Sequence, residues 1–131
     1  MPDFLSFPMP KALVVDDSKA IRMILSRTLR ELEFEVSEAA DGMAALESLR
    51  CGGPVDLVLA DWNMPGMDGL ELLKQVRANA SYDAVKVIMV TTESEVEQMS
   101  IALAEGANEY VMKPFTKEIL IDKLRLAALP V

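Results

Sequence analysis

At 131 residues, 51% of them hydrophobic, the chain has the size and apolar content of one globular domain. Thirteen basic against 21 acidic side chains leave a net charge of −8, which argues against a basic nucleic-acid-binding stripe. The absence of histidine excludes Ser/His/Asp and Cys/His catalysis, the usual zinc sites and a phosphohistidine carrier, and the single Cys51 excludes an intrachain disulfide.

No apolar run approaches the roughly 18–20 residues that a bilayer crossing requires. The opening "MPDFLSFPMP" has neither the basic region nor the long apolar stretch of a signal peptide. A cytoplasmic monomer is expected, with no membrane association and a short irregular arm over residues 1–10.

In chain order, "KALVV" (11–15) is nearly continuous apolar, as a strand buried on both faces should be. Ser18 is placed to cap a helix reaching Leu32, with Ile21, Ile24, Leu25, Thr28 and Leu29 on one stripe. "FEVSEA" (34–39) alternates, with Glu35 and Glu38 at polar positions, which suits an edge strand. Asp41 precedes a second helix, "GMAALESLR", that Gly52-Gly53-Pro54 stops. "DLVLA" (56–60) is the third strand, and Leu70, Leu72, Leu73 and Val76 carry the third helix. "KVIMV" (86–90) is the fourth strand, and residues 93–105 form the fourth helix, with Gly106 as its stop. "EYVM" (109–112) is the fifth strand, and the fifth helix opens near Thr116 and runs to about Leu129. A βα unit repeated five times predicts one α/β domain over residues 11–131, with a parallel sheet covered on both faces.

In open parallel sheets, ligands bind beyond the carboxyl ends of the strands. The first strand delivers Asp16-Asp17 there, the third Asp61, the fourth Thr91-Thr92 and the fifth Lys113-Pro114. Taken singly, Asp16 and Asp17 also fit a helix cap, and Asp61 a turn. Together, three carboxylates repel, and an all-oxygen site of this kind favours a hard octahedral cation, Mg²⁺ or Mn²⁺, with Lys113 adding positive charge.

"LVVDDS", "LVLADWNMPGMDGLELLKQVR", "VIMVTTE" and "YVMKPFT" resemble, in order and spacing, the four blocks of the response-regulator receiver domain, and the middle block and "KPFT" its CheY-like chemotaxis branch. The resemblance covers nearly the whole chain from Lys11. It implies a flavodoxin-like (βα)5 domain with strand order 2-1-3-4-5. It implies that Asp61 is the phosphoacceptor for a histidine kinase's phosphohistidine. Asp17, Asp61 and the backbone carbonyl of Asn63 would hold Mg²⁺, with Asp16 acting through a bound water. Lys113 would neutralise the phosphoryl oxygens, and a cis Lys113–Pro114 peptide would aim its ammonium at Asp61. Thr91 is the implied switch hydroxyl and Tyr110 the aromatic that follows it. Thr92 departs from the alanine or glycine usual at its position, which bears on the lifetime of the phosphorylated state.

The same resemblance implies output through the face of the fourth helix, fifth strand and fifth helix. Residues 93–109 hold five acids (Glu93, Glu95, Glu97, Glu105, Glu109) and no base, and residues 113–131 hold four bases and two acids. An acidic helix is thus expected beside a basic one, with Val96, Met99, Leu103 and Tyr110 among them. Lys19, Arg22, Arg27 and Arg30 on the first helix are expected to offer a dock for an acidic kinase or phosphatase surface. The target the resemblance implies is a flagellar motor switch component, or a phosphorelay or kinase partner.

A stand-alone switch is the favoured reading, catalysing only its own phosphorylation and dephosphorylation. A Mg²⁺-dependent phosphatase or phosphotransferase with an aspartate nucleophile competes, but such enzymes typically carry D-x-D after the first strand, and here that strand gives "DD". A receiver excised from a DNA-binding regulator is the other alternative, although "LRLAALPV" supplies no DNA-contacting unit.

Overall fold

A computed structural model describes residues 9–131, so most of the arm expected over 1–10 lies outside the described residues. Five strands alternate with five helices: β1 (Lys11–Val15), α1 (Lys19–Glu31), β2 (Glu35–Ala39), α2 (Gly42–Cys51), β3 (Leu57–Asp61), α3 (Gly69–Arg77), β4 (Lys86–Thr91), α4 (Met99–Ala104), β5 (Glu109–Met112) and α5 (Lys117–Leu126). Short 3-10 segments cover Ala80–Tyr82 and Glu93–Gln98. The sheet is parallel throughout and ordered β2-β1-β3-β4-β5. No helix of the described residues is long and apolar enough to cross a membrane.

The unbroken apolar runs follow from that order. Side chains alternate across a strand, so a sheet covered on both faces needs apolar residues at every position. Leu13, Val15, Val58, Ala60, Val87 and Met89 pack with α2, α3 and α4 on one face. Ala12, Val14, Leu57, Leu59, Ile88 and Val90 pack with α1 and α5 on the other. β2 is an edge strand, with Glu35, Ser37 and Glu38 exposed.

Ser18 caps α1 as expected, its Oγ accepting the Ile21 N–H (3.3 Å), and Asp41, Asp68 and Thr116 likewise accept the N–H groups of Ala44 (2.7 Å), Glu71 (2.9 Å) and Ile119 (3.2 Å).

Three expectations need correction. The predicted α1 stripe holds at Leu25 and Leu29, with Ile21 packed beside them, but not at Ile24, which is 59% exposed; Ser26 is fully buried instead and donates its hydroxyl to Glu38 Oε2 (3.0 Å). The fourth helix is not continuous over 93–105. Its first turns are 3-10, fixed by the Glu95 N–H to the Thr92 carbonyl (3.0 Å), and only Met99–Ala104 is α-helical. Helix α5 ends at Leu126 rather than Leu129. Ala128 adopts a left-handed φ of 63°, and the N–H of Leu129 returns to the Leu124 carbonyl (2.9 Å), a Schellman ending without glycine.

Gly69 opens α3 under the site. Its N–H donates to the Trp62 carbonyl (2.9 Å), and a Cβ there would lie 2.4 Å from the Asp61 carbonyl oxygen and 3.0 Å from Trp62 Cα. These neighbours are largely backbone and cannot swing away. Gly69→Ala is therefore expected to lower unfolding free energy by on the order of 1–3 kcal/mol in urea denaturation. An unchanged midpoint would contradict this packing.

Candidate functional site

The strand order reverses between β1 and β3, and the crevice beyond their carboxyl ends is where such sheets bind ligands. Asp16 follows the last residue of β1, its N–H still held by the Ala39 carbonyl at the end of β2 (3.2 Å). It is 1% exposed, and its Oδ1 accepts the Ser18 N–H (2.8 Å). Asp17 is exposed beside it. Asp61 is the final residue of β3, in register with Val90 and 7% exposed. Each of the three acids offers a carboxylate oxygen, and these oxygens lie within 4.8 Å of one another.

Lys113 completes the cluster from the end of β5. Its N–H donates to the Thr91 carbonyl (2.7 Å), and the Lys113–Pro114 peptide is cis. Its Nζ stands 3.4 Å from Asp61 Oδ1 and 3.5 Å from Asp16 Oδ2. Burial pushes the Asp61 carboxyl above its usual range; attraction to Lys113 opposes the shift, while repulsion from Asp16 and, least, Glu95 adds to it. The ammonium offsets only part of the gathered negative charge. The donors are all oxygen, and three carboxylates at this spacing suit a hard, octahedral divalent cation that keeps several waters.

Thr91, the last residue of β4, is fully buried, and its hydroxyl donates to the Thr92 carbonyl (3.2 Å). Asn63 lies just past Asp61 on an exposed loop, its side-chain amide joined to Glu95. Sequence reasoning placed Glu95 on an acidic outer face. Instead it is 7% exposed and turned inward, where it accepts from Thr92 N (3.1 Å), Thr92 Oγ1 (2.9 Å) and Asn63 Nδ2. Nothing in its spacing announces that role.

Tyr110, on β5, is half-buried, with the Lys123 ammonium 4.7 Å from its ring centroid and that ammonium also 3.1 Å from Glu109. Of its expected neighbours, Met99 is buried and Leu103 is 44% exposed. Glu93 and Val96 lie outside the described side chains. Arg22, expected to be free for a partner, is engaged: its guanidinium donates to the Asp16 carbonyl (2.6 Å) and pairs with Glu38 (3.3 Å).

A doubly wound α/β sheet with acids and an ammonium at its switch point defines the class of protein. The profile of the response regulator receiver domain matches residues 12–125, and the chain belongs to that family of signalling regulators rather than of classical enzymes. It is 42% identical over 117 residues to the chemotaxis protein CheY1 of Helicobacter pylori, covering 88% of this chain and 94% of that one. It is 45% identical over 115 residues to the CheY homolog of Campylobacter jejuni, covering 87% and 88% respectively. The structure of the chemotaxis response regulator CheY4 of Vibrio cholerae superposes with a TM-score of 0.84 at 38% identity, covering 92% of this chain and 99% of that one. The chain is thus a receiver domain closely related to CheY chemotaxis regulators.

Because the carboxyl of Asp61 has a raised folded-state pKa, its ionisation opposes folding as pH climbs through that value. Asp61→Asn removes this cost. In metal-chelating buffer the variant is expected to melt above wild type at neutral pH, and its advantage to shrink as pH falls through the carboxylate range. An advantage that grows on acidification would contradict the assignment of the strain to Asp61.

Proposed function

We propose that residues 11–131 act as a stand-alone phosphorylation switch, with Asp61 as the phosphoacceptor and a histidine kinase as donor. The observation that carries the reading is the convergence of Asp16, Asp17 and Asp61 within 4.8 Å, with Lys113 3.4 Å from Asp61. An Asp61 carboxylate oxygen attacks phosphorus, the P–N bond of the donor's phosphohistidine breaks, and the imidazole leaves with the electron pair. The product is an aspartyl phosphate.

The acids Asp16, Asp17 and Asp61, with the carbonyl of Asn63, would hold Mg²⁺, or Mn²⁺ in its place. Bound there, the metal supplies charge neutralisation for the phosphoryl oxygens. Lys113 adds a fixed positive charge between Asp61 and Asp16. No other general acid or base is required, which suits a chain without histidine. The same groups serve hydrolysis of the aspartyl phosphate, so the domain catalyses only its own loading and discharge.

On loading, the Thr91 hydroxyl gives up its bond to the Thr92 carbonyl and donates to a phosphoryl oxygen, and Tyr110 moves into the space released. The Lys123–Glu109 pair and the cation–π contact on Tyr110 must then rearrange, which carries the signal to the α4–β5–α5 face. The exposed Ile101, Leu103, Met112 and Ile119 give that face its apolar content. A chemotaxis target such as a flagellar motor switch component fits the likeness to CheY relatives; a phosphorelay protein is the other reading. Lys19, Arg27 and Arg30 on α1 remain exposed and suit an acidic kinase surface. A cytoplasmic, monomeric switch that binds neither nucleic acid nor membrane accords with the charge of −8.

Trp62 is the only tryptophan, buried next to Asp61. Beryllium fluoride, an acyl-phosphate mimic, is expected to change its fluorescence saturably in the presence of Mg²⁺. Asp61→Asn should abolish the response. A wild type that does not respond and resists labelling by acetyl phosphate would contradict the reading.

A further inference from the structure

Glu95 has no part in the reaction described above, yet it is one of five polar or charged side chains buried among the described residues. Its carboxylate accepts from three donors: the backbone N–H of Thr92 (3.1 Å), the hydroxyl of Thr92 (2.9 Å) and the side-chain amide of Asn63. Thr92 directly follows β4 and Asn63 lies two residues after the end of β3, so one side chain ties together the two loops that flank Asp61. It also pins the start of the 3-10 segment, where the Glu95 N–H closes a tight turn onto the Thr92 carbonyl (3.0 Å).

Three N–H and O–H donors converge on one carboxylate from the loops that follow β3 and β4, whose tips carry Asp61 and Thr91, and such donors are suited to an incoming anion. In the unphosphorylated chain an internal anion occupies them. The aspartyl phosphate carries about −1.5 to −2 charges in place of the single charge of the free carboxylate, and it presents three strong acceptor oxygens. It both repels the Glu95 carboxylate and competes for its donors.

We propose that Glu95 is an intrachain latch that occupies the donors of Thr92 and Asn63 while Asp61 is free, and that phosphoryl loading must displace it. Glu95 is a positioning residue: it acts through the loops it holds and touches no reacting atom. Its release frees the first turns of the segment leading into α4, so loading at Asp61 loosens the output face at its N-terminal end. Thr92 has a specific part here, because an alanine or glycine in its place would leave the latch without its hydroxyl donor. The inference rests on Asp61 being the phosphoacceptor.

The test measures beryllium fluoride affinity, at saturating Mg²⁺ and several salt concentrations, in wild type, Glu95→Gln and Glu95→Ala. Mg²⁺ affinity and melting temperature are measured alongside. Glu95→Gln removes the charge and keeps the shape. It is expected to bind the analogue about three- to tenfold tighter than wild type, with an advantage that narrows as salt rises. Glu95→Ala should match or exceed it, and Mg²⁺ affinity should stay within about twofold of wild type. Equal or weaker analogue binding in both folded variants would overturn the latch. A Glu95→Gln variant that loses Mg²⁺ affinity would overturn it too, by making Glu95 part of the cation site. Failure of wild type itself to bind the analogue is distinguishable from these results and overturns the Asp61 reading along with the latch.

Discussion

Three carboxylate oxygens, from Asp16, Asp17 and Asp61, are held within 4.8 Å of one another against their mutual repulsion. Left to themselves, such groups would separate or take up protons. What prevents it is the rigidity beneath them. The core residues of β1 and β3 are at most 1% exposed, and the strands are locked in parallel register from Ala12–Leu57 to Val15–Ala60. The Lys113 ammonium offsets part of the charge, and Asp16 is steadied by the Ser18 N–H and the Asp16 carbonyl by Arg22. The remaining imbalance makes the site receptive to a divalent cation and to chemistry that spreads charge over phosphoryl oxygens.

The same constraint explains how a local event can be felt at a distance. The tips of β4 and β5 are joined where the Lys113 N–H meets the Thr91 carbonyl, so the ammonium and the buried hydroxyl belong to one backbone unit. Glu95 adds a second tie, between the loops after β3 and β4. Tyr110 lies one strand further out and is linked through Lys123 to α5. In the proposed switch, charge moved onto Asp61 would perturb both ties at once. The turns of Glu93–Gln98 beside them are 3-10, with poorer hydrogen-bond geometry than an α-helix.

The strands were legible in the sequence because a sheet buried on both faces demands unbroken apolar runs, and short side-chain caps announced where helices begin. Asp61 and Thr91 fell just outside the expected strands and inside the real ones, since backbone pairing continues one residue past the apolar run. What stayed hidden depended on partners distant in the chain. The burial of Ser26 goes with its bond to Glu38, the end of α5 with a left-handed Ala128 where glycine would have signalled a stop, and the inward turn of Glu95 with its bond to Asn63. The acids and the lysine of the site were legible individually at strand ends, and their meeting followed from the topology. The close approach of Gly69 to the Asp61 carbonyl required coordinates.

The central claim is that the strained carboxylate at the tip of β3 receives the phosphoryl group. Borohydride reduction after acetyl phosphate treatment tests it most directly, because an acyl phosphate on aspartate is reduced to homoserine while free carboxylates are not. Peptide mass spectrometry should place a single Mg²⁺-dependent homoserine at position 61. Reduction at Asp16, Asp17 or Asp68 instead, or labelling that persists in Asp61→Asn at wild-type yield, would contradict the account.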